Sequence, residues 1–300
     1  MVVATGFFDG VHLGHRLVIE RLVQAAKEMG DESLVITFWP HPRNVLQQEA
    51  RTLRLLTTMQ EKEAMLKSLG VDKVEVVNFT KEFSTFTTEK YLRDLIIGKY
   101  GASAIVLGYD NRMGSDAKDA SSVREVAQKL GLKVIMAEKV ISGSGMDISS
   151  TKIRKELEAG NVSRAATMLG YQYSLFGVVV SGNRIGRKVL GFPTANMELY
   201  EPLKLVPANG VYLTKVETLG REYLGMCNIG NRPTVGAGNA RTIETNIFDF
   251  DEDIYGLDIK LTFIRKIRDE VRFSSFTQLK AQLTRDEFYC KSLIEEGINC

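Results

Sequence analysis

Between Val2 and Ala137, short, continuously apolar segments alternate with amphipathic helical stretches, and few folds accept that alternation. Val2-Val3-Ala4 and residues 33–38, 73–79, 104–108 and 133–137 read as strands. Residues 16–23, 60–69, 87–100 and 121–130 read as the helices between them. A strand that is apolar on both faces has to be covered on both faces. The pattern therefore predicts a parallel sheet with helices above and below it. In such a doubly wound α/β domain, ligands bind beyond the carboxyl ends of the strands. Residues 149–160 and 163–170 read as two short closing helices.

After Gly170 the grammar changes. Residues 173–181, 210–217, 221–229, 242–249 and 259–267 read as strands. Between them stand turn clusters such as Gly182-Asn183 and Gly236-Ala237-Gly238-Asn239, without a helical repeat. Consecutive strands with short polar connections predict an antiparallel barrel or sandwich, and residues 277–296 read as a final helix. A chain of 300 residues suggests two domains. The change of pattern places the boundary near Tyr171, giving domains 1–171 and 172–300.

Composition narrows the class of partner. A net charge of +2 gives no reason to expect nucleic-acid or membrane-surface binding, and no apolar run approaches the ~20 residues of a membrane span. Cys227, Cys290 and Cys300 are odd in number and lack metal or disulfide spacing, which points to a reducing, cytoplasmic compartment. The N-terminus shows no signal-peptide pattern. Because the chain starts directly in its first strand, further native residues are expected before it. The sequence says nothing about oligomeric state.

Two of the three histidines lie three residues apart, in Thr5-Gly6-Phe7-Phe8-Asp9-Gly10-Val11-His12-Leu13-Gly14-His15. A glycine-rich strand-to-helix turn presents backbone N–H groups and the positive end of a helix dipole, which suits phosphate. Two imidazoles add donors aimed at the same anion. A second patch, Ile148-Ser149-Ser150-Thr151-Lys152-Ile153-Arg154, puts hydroxyls at a helix start and a guanidinium one turn in. Alone, this patch reads as helix capping sooner than as a site, and His12 alone as structure. His41, held between Pro40 and Pro42, suits a rigid pocket wall and receives no catalytic role.

In the second half, Gly182-Asn183-Arg184-Ile185-Gly186-Arg187 could close over phosphates, though hairpins use the same residues. Gly191-Phe192-Pro193-Thr194-Ala195-Asn196 follows, with Thr194 and Asn196 offering oxygen ligands suited to Mg²⁺. Glu244, taken alone, reads as the polar face of an alternating strand.

Together these motifs resemble a known family. Residues 8–15 and 148–154 are similar to the two signatures of the HxGH nucleotidylyltransferases. With Thr37-Phe38-Trp39-Pro40-His41-Pro42, they resemble the adenylyltransferase half of prokaryotic bifunctional FAD synthetases. Residues 191–196, Asn228-Ile229-Gly230-Asn231-Arg232-Pro233-Thr234 and Ile243-Glu244-Thr245-Asn246-Ile247-Phe248-Asp249-Phe250 resemble the riboflavin kinase half. The resemblance runs from Thr5 to about Asp286. It implies a Rossmann-like N-terminal domain and a C-terminal β-barrel kinase domain with a terminal helix.

By that resemblance, the barrel makes FMN from riboflavin and ATP, and the α/β domain makes FAD from FMN and ATP, releasing pyrophosphate. His12 and His15 would hold phosphates on the turn built from Gly6, Phe7, Asp9 and Gly14. Ser150, Thr151 and Arg154 would clamp pyrophosphate. Glu244 would be the general base, Thr194 and Asn196 the Mg²⁺ ligands, and Gly182, Arg187 and Gly191 the nucleotide loop. Asp110 and Asn228 would contact flavin.

The chain departs from the family in three places. Asn111 and Met113 replace two usual aromatics beside Asp110. Ser115-Asp116-Ala117-Lys118 lacks a usual basic residue, and Asn246 stands where His is usual. The first two departures motivate an alternative, a kinase with weakened adenylyltransferase. A noncatalytic flavin-binding regulator is the third reading, and the retained base and clamp residues speak against it.

Overall fold

The computed structural model describes residues 1–46, 53–108, 112–137, 148–182, 191–231 and 241–297. Two compact units emerge, Met1–Ser150 and Thr151–Cys300.

The first unit is built on five parallel strands: β1 (Val2–Thr5), β2 (Ser33–Trp39), β3 (Lys73–Asn78), β4 (Ala104–Leu107) and β5 (Lys133–Met136). They lie in the order β3-β2-β1-β4-β5, with Val2 beside Ser33 on one flank and Ala104 on the other. The two-residue period of the strand splits its side chains between two cores. Val2 and Ala4 pack with Ile19 and Leu22 of α1 (Leu13–Met29) and Leu66 of α3 (Met59–Ser68). Val3 points the other way, to Leu92, Ile96 and Val123. The doubly wound expectation is met, and β1 sits at the sheet centre, where the order reverses.

Two local details differ from the sequence expectation. Residues 42–46, to which the pattern assigns no element, form α2 (Pro42–Leu46), whose first free amide, that of Arg43, donates to His41 Nδ1 at 3.1 Å. The helix expected over 87–100 is only a short α4 (Thr88–Lys90), continuing as a π-helix over Tyr91–Lys99. Gly98 lies where a Cβ would stand 3.0 Å from the Arg93 carbonyl, a crowding that a wider turn with glycine relieves. Thr5 Oγ1 and the Tyr91 hydroxyl share a buried hydrogen bond of 2.5 Å, tying this stretch to β1. On the same face of the sheet runs α5 (Ala120–Lys129).

The second unit begins within α6 (Ser150–Glu158), which is followed by α7 (Val162–Leu169). Ser163 Oγ donates to the Ile264 carbonyl at 3.1 Å, so α7 packs on the barrel. The barrel strands are β6 (Ser174–Val180), β7 (Ala195–Leu199), β8 (Gly210–Thr218), β9 (Arg221–Asn231), β10 (Arg241–Ile247) and β11 (Asp258–Arg268). They close antiparallel as β10-β7-β6-β11-β8-β9. The sequence reading missed β7, because Ala, Asn and Glu are poor strand formers and pairing on both edges forms the strand.

The barrel is filled by Tyr212, Phe263, Leu175, Leu261 and Ile229, all fully buried. On its outer face lies α8 (Phe276–Glu295), whose Cys290 and Leu293 pack on Val211, Leu213, Met226 and Ile264. A buried fork fixes this helix: Arg268 holds both carboxylate oxygens of Asp286, with Nε at 2.9 and 3.1 Å. Gln282 Nε2 adds a third donor at 2.8 Å.

Candidate active sites

In the first unit, the turn from β1 to α1 is strained and tightly packed. Phe8 and Val11 sit at φ 50° and 35°, a region few side chains occupy, with Gly10 at 82° between them. Gly6 lies under the Phe8 ring, which a Cβ there would meet at 3.1 Å. His12 is the N-cap of α1, its Nδ1 accepting from the His15 amide at 3.3 Å. The two imidazoles stack, with centroids 3.6 Å apart and planes 17° from parallel. The stacking explains Gly14, because any Cβ at that position would press on the His12 ring at 3.2 Å.

His15 carries the electrostatic signature of the site. Its Nδ1 is buried without a hydrogen-bond partner, an arrangement costly until a ligand completes it. Burial, then His12, then Lys62 hold its pKa well below the usual imidazole value. The ring is therefore neutral near pH 7 and interacts with an anion as a dipolar donor rather than a cation.

Asp9 is in the turn but faces inward. Its carboxylate accepts from the Leu56 amide at 3.0 Å, the Thr57 amide at 3.1 Å and the Thr57 hydroxyl at 3.2 Å. It braces the turn against the segment preceding α3. The Asp9 carbonyl accepts from Ser150 Oγ at 2.9 Å, so one member of the second signature sits against the first. Thr151 is exposed and Arg154 only 9% exposed; both lie on α6 and count with the second unit. Phe7 is half-buried, its ring 3.9 Å from that of His41.

Sequence reasoning missed Lys62. Only 2% exposed, it donates from Nζ to the Phe7 carbonyl at 2.7 Å. The available signal was a lysine four residues before Leu66, on the apolar stripe of α3.

Asp110 and Asn111 lie outside the described residues. Met113, which stands where an aromatic is usual, is 6% exposed and packs in the core with Tyr91 and Leu92. Asp116 also has a structural account. Its Oδ1 accepts from the Thr88 amide and hydroxyl at 2.9 and 2.8 Å, fastening a hairpin in which Met113 and Lys118 pair.

In the second unit, strand register assembles one row of polar side chains. Glu244 of β10 is paired with Asn196 of β7 on one edge and Asn228 of β9 on the other. Directly paired residues share a face, with Cβ atoms about 5 Å apart. The row continues to Val211, which packs beneath α8. It therefore lies on the outer face of the barrel, beside the terminal helix. All three polar residues are half-buried.

The Gly-Phe-Pro-Thr-Ala-Asn string is anchored around this row. Gly191 adopts φ 75°, which favours glycine, and Phe192 packs on the core under α8. The Pro193 carbonyl accepts from Asn246 Nδ2 at 2.7 Å. Thr194 follows, half-buried. Gly182 backs onto Asn196, where a Cβ would run into the side-chain amide. Arg187 lies outside the described residues.

Comparison with known proteins follows the same division. The FAD synthetase family model matches residues 1–152 and the riboflavin kinase model residues 169–294. The bifunctional riboflavin kinase/FMN adenylyltransferase of Bacillus subtilis (strain 168) is 36% identical over 290 residues, spanning 95% of this chain and 90% of that protein. The protein of the same name from Escherichia coli (strain K12) is 35% identical over 288 residues, with the same shares. A crystal structure described as a macrolide-efflux protein from Streptococcus pneumoniae superposes with a TM-score of 0.89 at 34% identity, covering 97% of this chain and 93% of that one. Among the described residues, no helix is long and apolar enough to cross a membrane.

Proposed function

We propose the division of labour that follows from one premise: this chain belongs to the bifunctional riboflavin kinase/FMN adenylyltransferase family. It is an enzyme of flavin cofactor synthesis. Its riboflavin kinase part phosphorylates riboflavin to FMN, and its FAD synthetase part adenylylates FMN to FAD. We set the boundary of the two catalytic domains near Tyr171, close to where the kinase match begins.

For the kinase step, the supporting observation is the row Asn196–Glu244–Asn228. A carboxylate flanked by two amides, beside an anchored Thr194, is suited to orient an attacking hydroxyl. Glu244 takes the proton of the riboflavin 5′-hydroxyl as its oxygen attacks the γ-phosphorus of ATP and ADP leaves. Asn228 contacts the flavin. Gly182, Arg187 and Gly191 belong to the nucleotide loop.

Mg²⁺ fits the donors present. It favours oxygen ligands, keeps several waters and needs few protein groups when phosphates complete its shell. The Thr194 hydroxyl and the Asn196 amide oxygen are such a set, and the Asn196 side chain lies against Gly182. Bound there, the ion would neutralise charge on the transferring phosphate.

For the second step, a phosphate oxygen of FMN attacks the α-phosphorus of ATP, the bond to the β-phosphate breaks, and pyrophosphate leaves. No covalent enzyme intermediate is required, so positioning and charge dominate. His12 and His15 hold phosphates on the turn formed by Gly6, Phe7, Asp9 and Gly14. Ser150, Thr151 and Arg154 hold the pyrophosphate, and Asp110 contacts flavin. Both reactions use ATP and small molecules, and we place the enzyme in the cytoplasm, with neither nucleic acid nor membrane as partner.

Incubation with riboflavin, ATP and Mg²⁺, followed by chromatography of the flavins, tests the whole reading. FMN and FAD should both accumulate. FMN alone would favour a weakened adenylyltransferase, and no product would leave only the regulator. Glu244→Gln should abolish FMN formation while FAD still forms from supplied FMN. His12→Ala with His15→Ala should do the reverse. Loss of both activities in either variant would overturn the assignment of separate sites.

A further inference from the structure

An ammonium is an expensive choice for the inner face of a helix. α3 buries two side chains, Lys62 and Leu66, and a leucine or methionine would fill the first position without desolvating a charge. No carboxylate lies within ion-pair distance of Lys62 among the described residues. Its Nζ donates to the Phe7 carbonyl at 2.7 Å, lies 3.4 Å from Thr37 Oγ1, and stands 4.0 Å from the centroid of the Phe7 ring. Its third N–H has no hydrogen-bond partner among the described residues. Phe7 immediately precedes Phe8, where the backbone enters the left-handed region. The ammonium thus grips the turn at its point of strain.

We propose that Lys62 is a positioning residue for adenylyl transfer, supplying the fixed positive charge behind the His12/His15 turn and locking the Phe7 carbonyl so that the turn stays presented to ATP phosphates. This rests on reading that turn as the adenylyl-transfer site.

The groups around the ammonium support the role. Asp9 approaches from the turn, but its carboxylate is engaged by Leu56 and Thr57. His15 and, behind it, His12 approach from α1, and His41 lies across the Phe7 ring. Burial lowers Lys62 to about 8, with Asp9 acting in the opposite direction. The same ammonium helps keep His15 deprotonated. Near neutral pH Lys62 therefore places a positive charge at a fixed point behind the turn, while the His15 imidazole remains neutral. Polyphosphate favours the charged form, and its attraction fades as pH rises through about 8.

The test is the KM for ATP in FAD formation from supplied FMN, measured from about pH 6.5 to about pH 9.5. In the native enzyme it should rise through about pH 8, with no matching rise in the KM for ATP of the kinase reaction. Lys62→Arg should flatten the profile, because guanidinium stays charged. Lys62→Gln should raise KM roughly tenfold and remove the inflection, with kcat less affected. FMN formation by the same molecules reports whether the variants are intact. Variants with the native profile would overturn the inference. If neither variant folds, the native profile decides, and a flat one overturns it. Should His12→Ala with His15→Ala still make FAD, the reading of the turn itself fails. Should that double variant be inactive while the Lys62 profiles stay native, only the inference about Lys62 fails.

Discussion

Asn246 donates from Nδ2 to the carbonyl of Pro193 at 2.7 Å, tying the strand that carries Glu244 to the segment that carries Thr194. Asn246 is 7% exposed, and losing a hydrogen bond of this kind costs on the order of 1 kcal/mol. Asn246→Ala should raise the KM for ATP in FMN formation roughly tenfold and leave FAD formation from supplied FMN unchanged. Steady-state kinetics of the two reactions on one preparation check this.

Gly182 and Asn196 make a second such pair, since any side chain at 182 collides with the Asn196 amide. Gly182→Ala should shift the Mg²⁺ concentration needed for half-maximal FMN formation upward, with circular dichroism unchanged. A Mg²⁺ titration of initial rates is the measurement.

His15 makes the first unit sensitive to acid. Its folded pKa is lowered, so below the unfolded value of ~6.5 the unfolded chain binds more protons than the native one. The stability linked to His15 is complete above that value and is lost as pH falls through it toward the lower folded pKa. Trp39 is the only tryptophan and ends β2, so its fluorescence reports this unit. The melting midpoint should drop from pH 7.5 to pH 5, and His15→Gln should reduce the drop.

Asp116 holds the hairpin after the Asp110 segment to the start of α4. Asp116→Ala removes the acceptor for two donors of Thr88 and should loosen the pairing of Met113 with Lys118. FAD formation should fall with a raised KM for FMN, while FMN formation stays native. Kinetics with FMN as the varied substrate decide it.

The buried fork between Arg268 and Asp286 is the main polar fastening of α8. Breaking such a pair from one side costs about 3–5 kcal/mol. Asp286→Ala should lower the urea midpoint at which kinase activity is lost. Asp286→Asn, which keeps one acceptor, should lose less.

What was legible in the sequence was local. Continuous against alternating hydrophobicity separated the two architectures, because side-chain period and burial are linked within a few residues. The His12–His15 turn was legible for the same reason, its glycines, cap and stacked rings all lying inside ten residues. The short β7 was not, since Ala195–Leu199 has little strand preference and forms by pairing on both edges. The π-helical course of Tyr91–Lys99 depends on packing that no periodicity reveals.

The sequence by itself determined a doubly wound sheet followed by a β-rich half, and a glycine-rich turn with two histidines at the end of the first strand. Only the tertiary structure decided that Glu244 stands between Asn196 and Asn228, because that row exists only once three strands take register in a closed barrel. Nor does any motif contain Lys62, which reaches the Phe7 carbonyl from 55 residues away. Turn and periodicity are properties of neighbouring residues, whereas a row of side chains or a buried charge is a property of which segments the fold brings together.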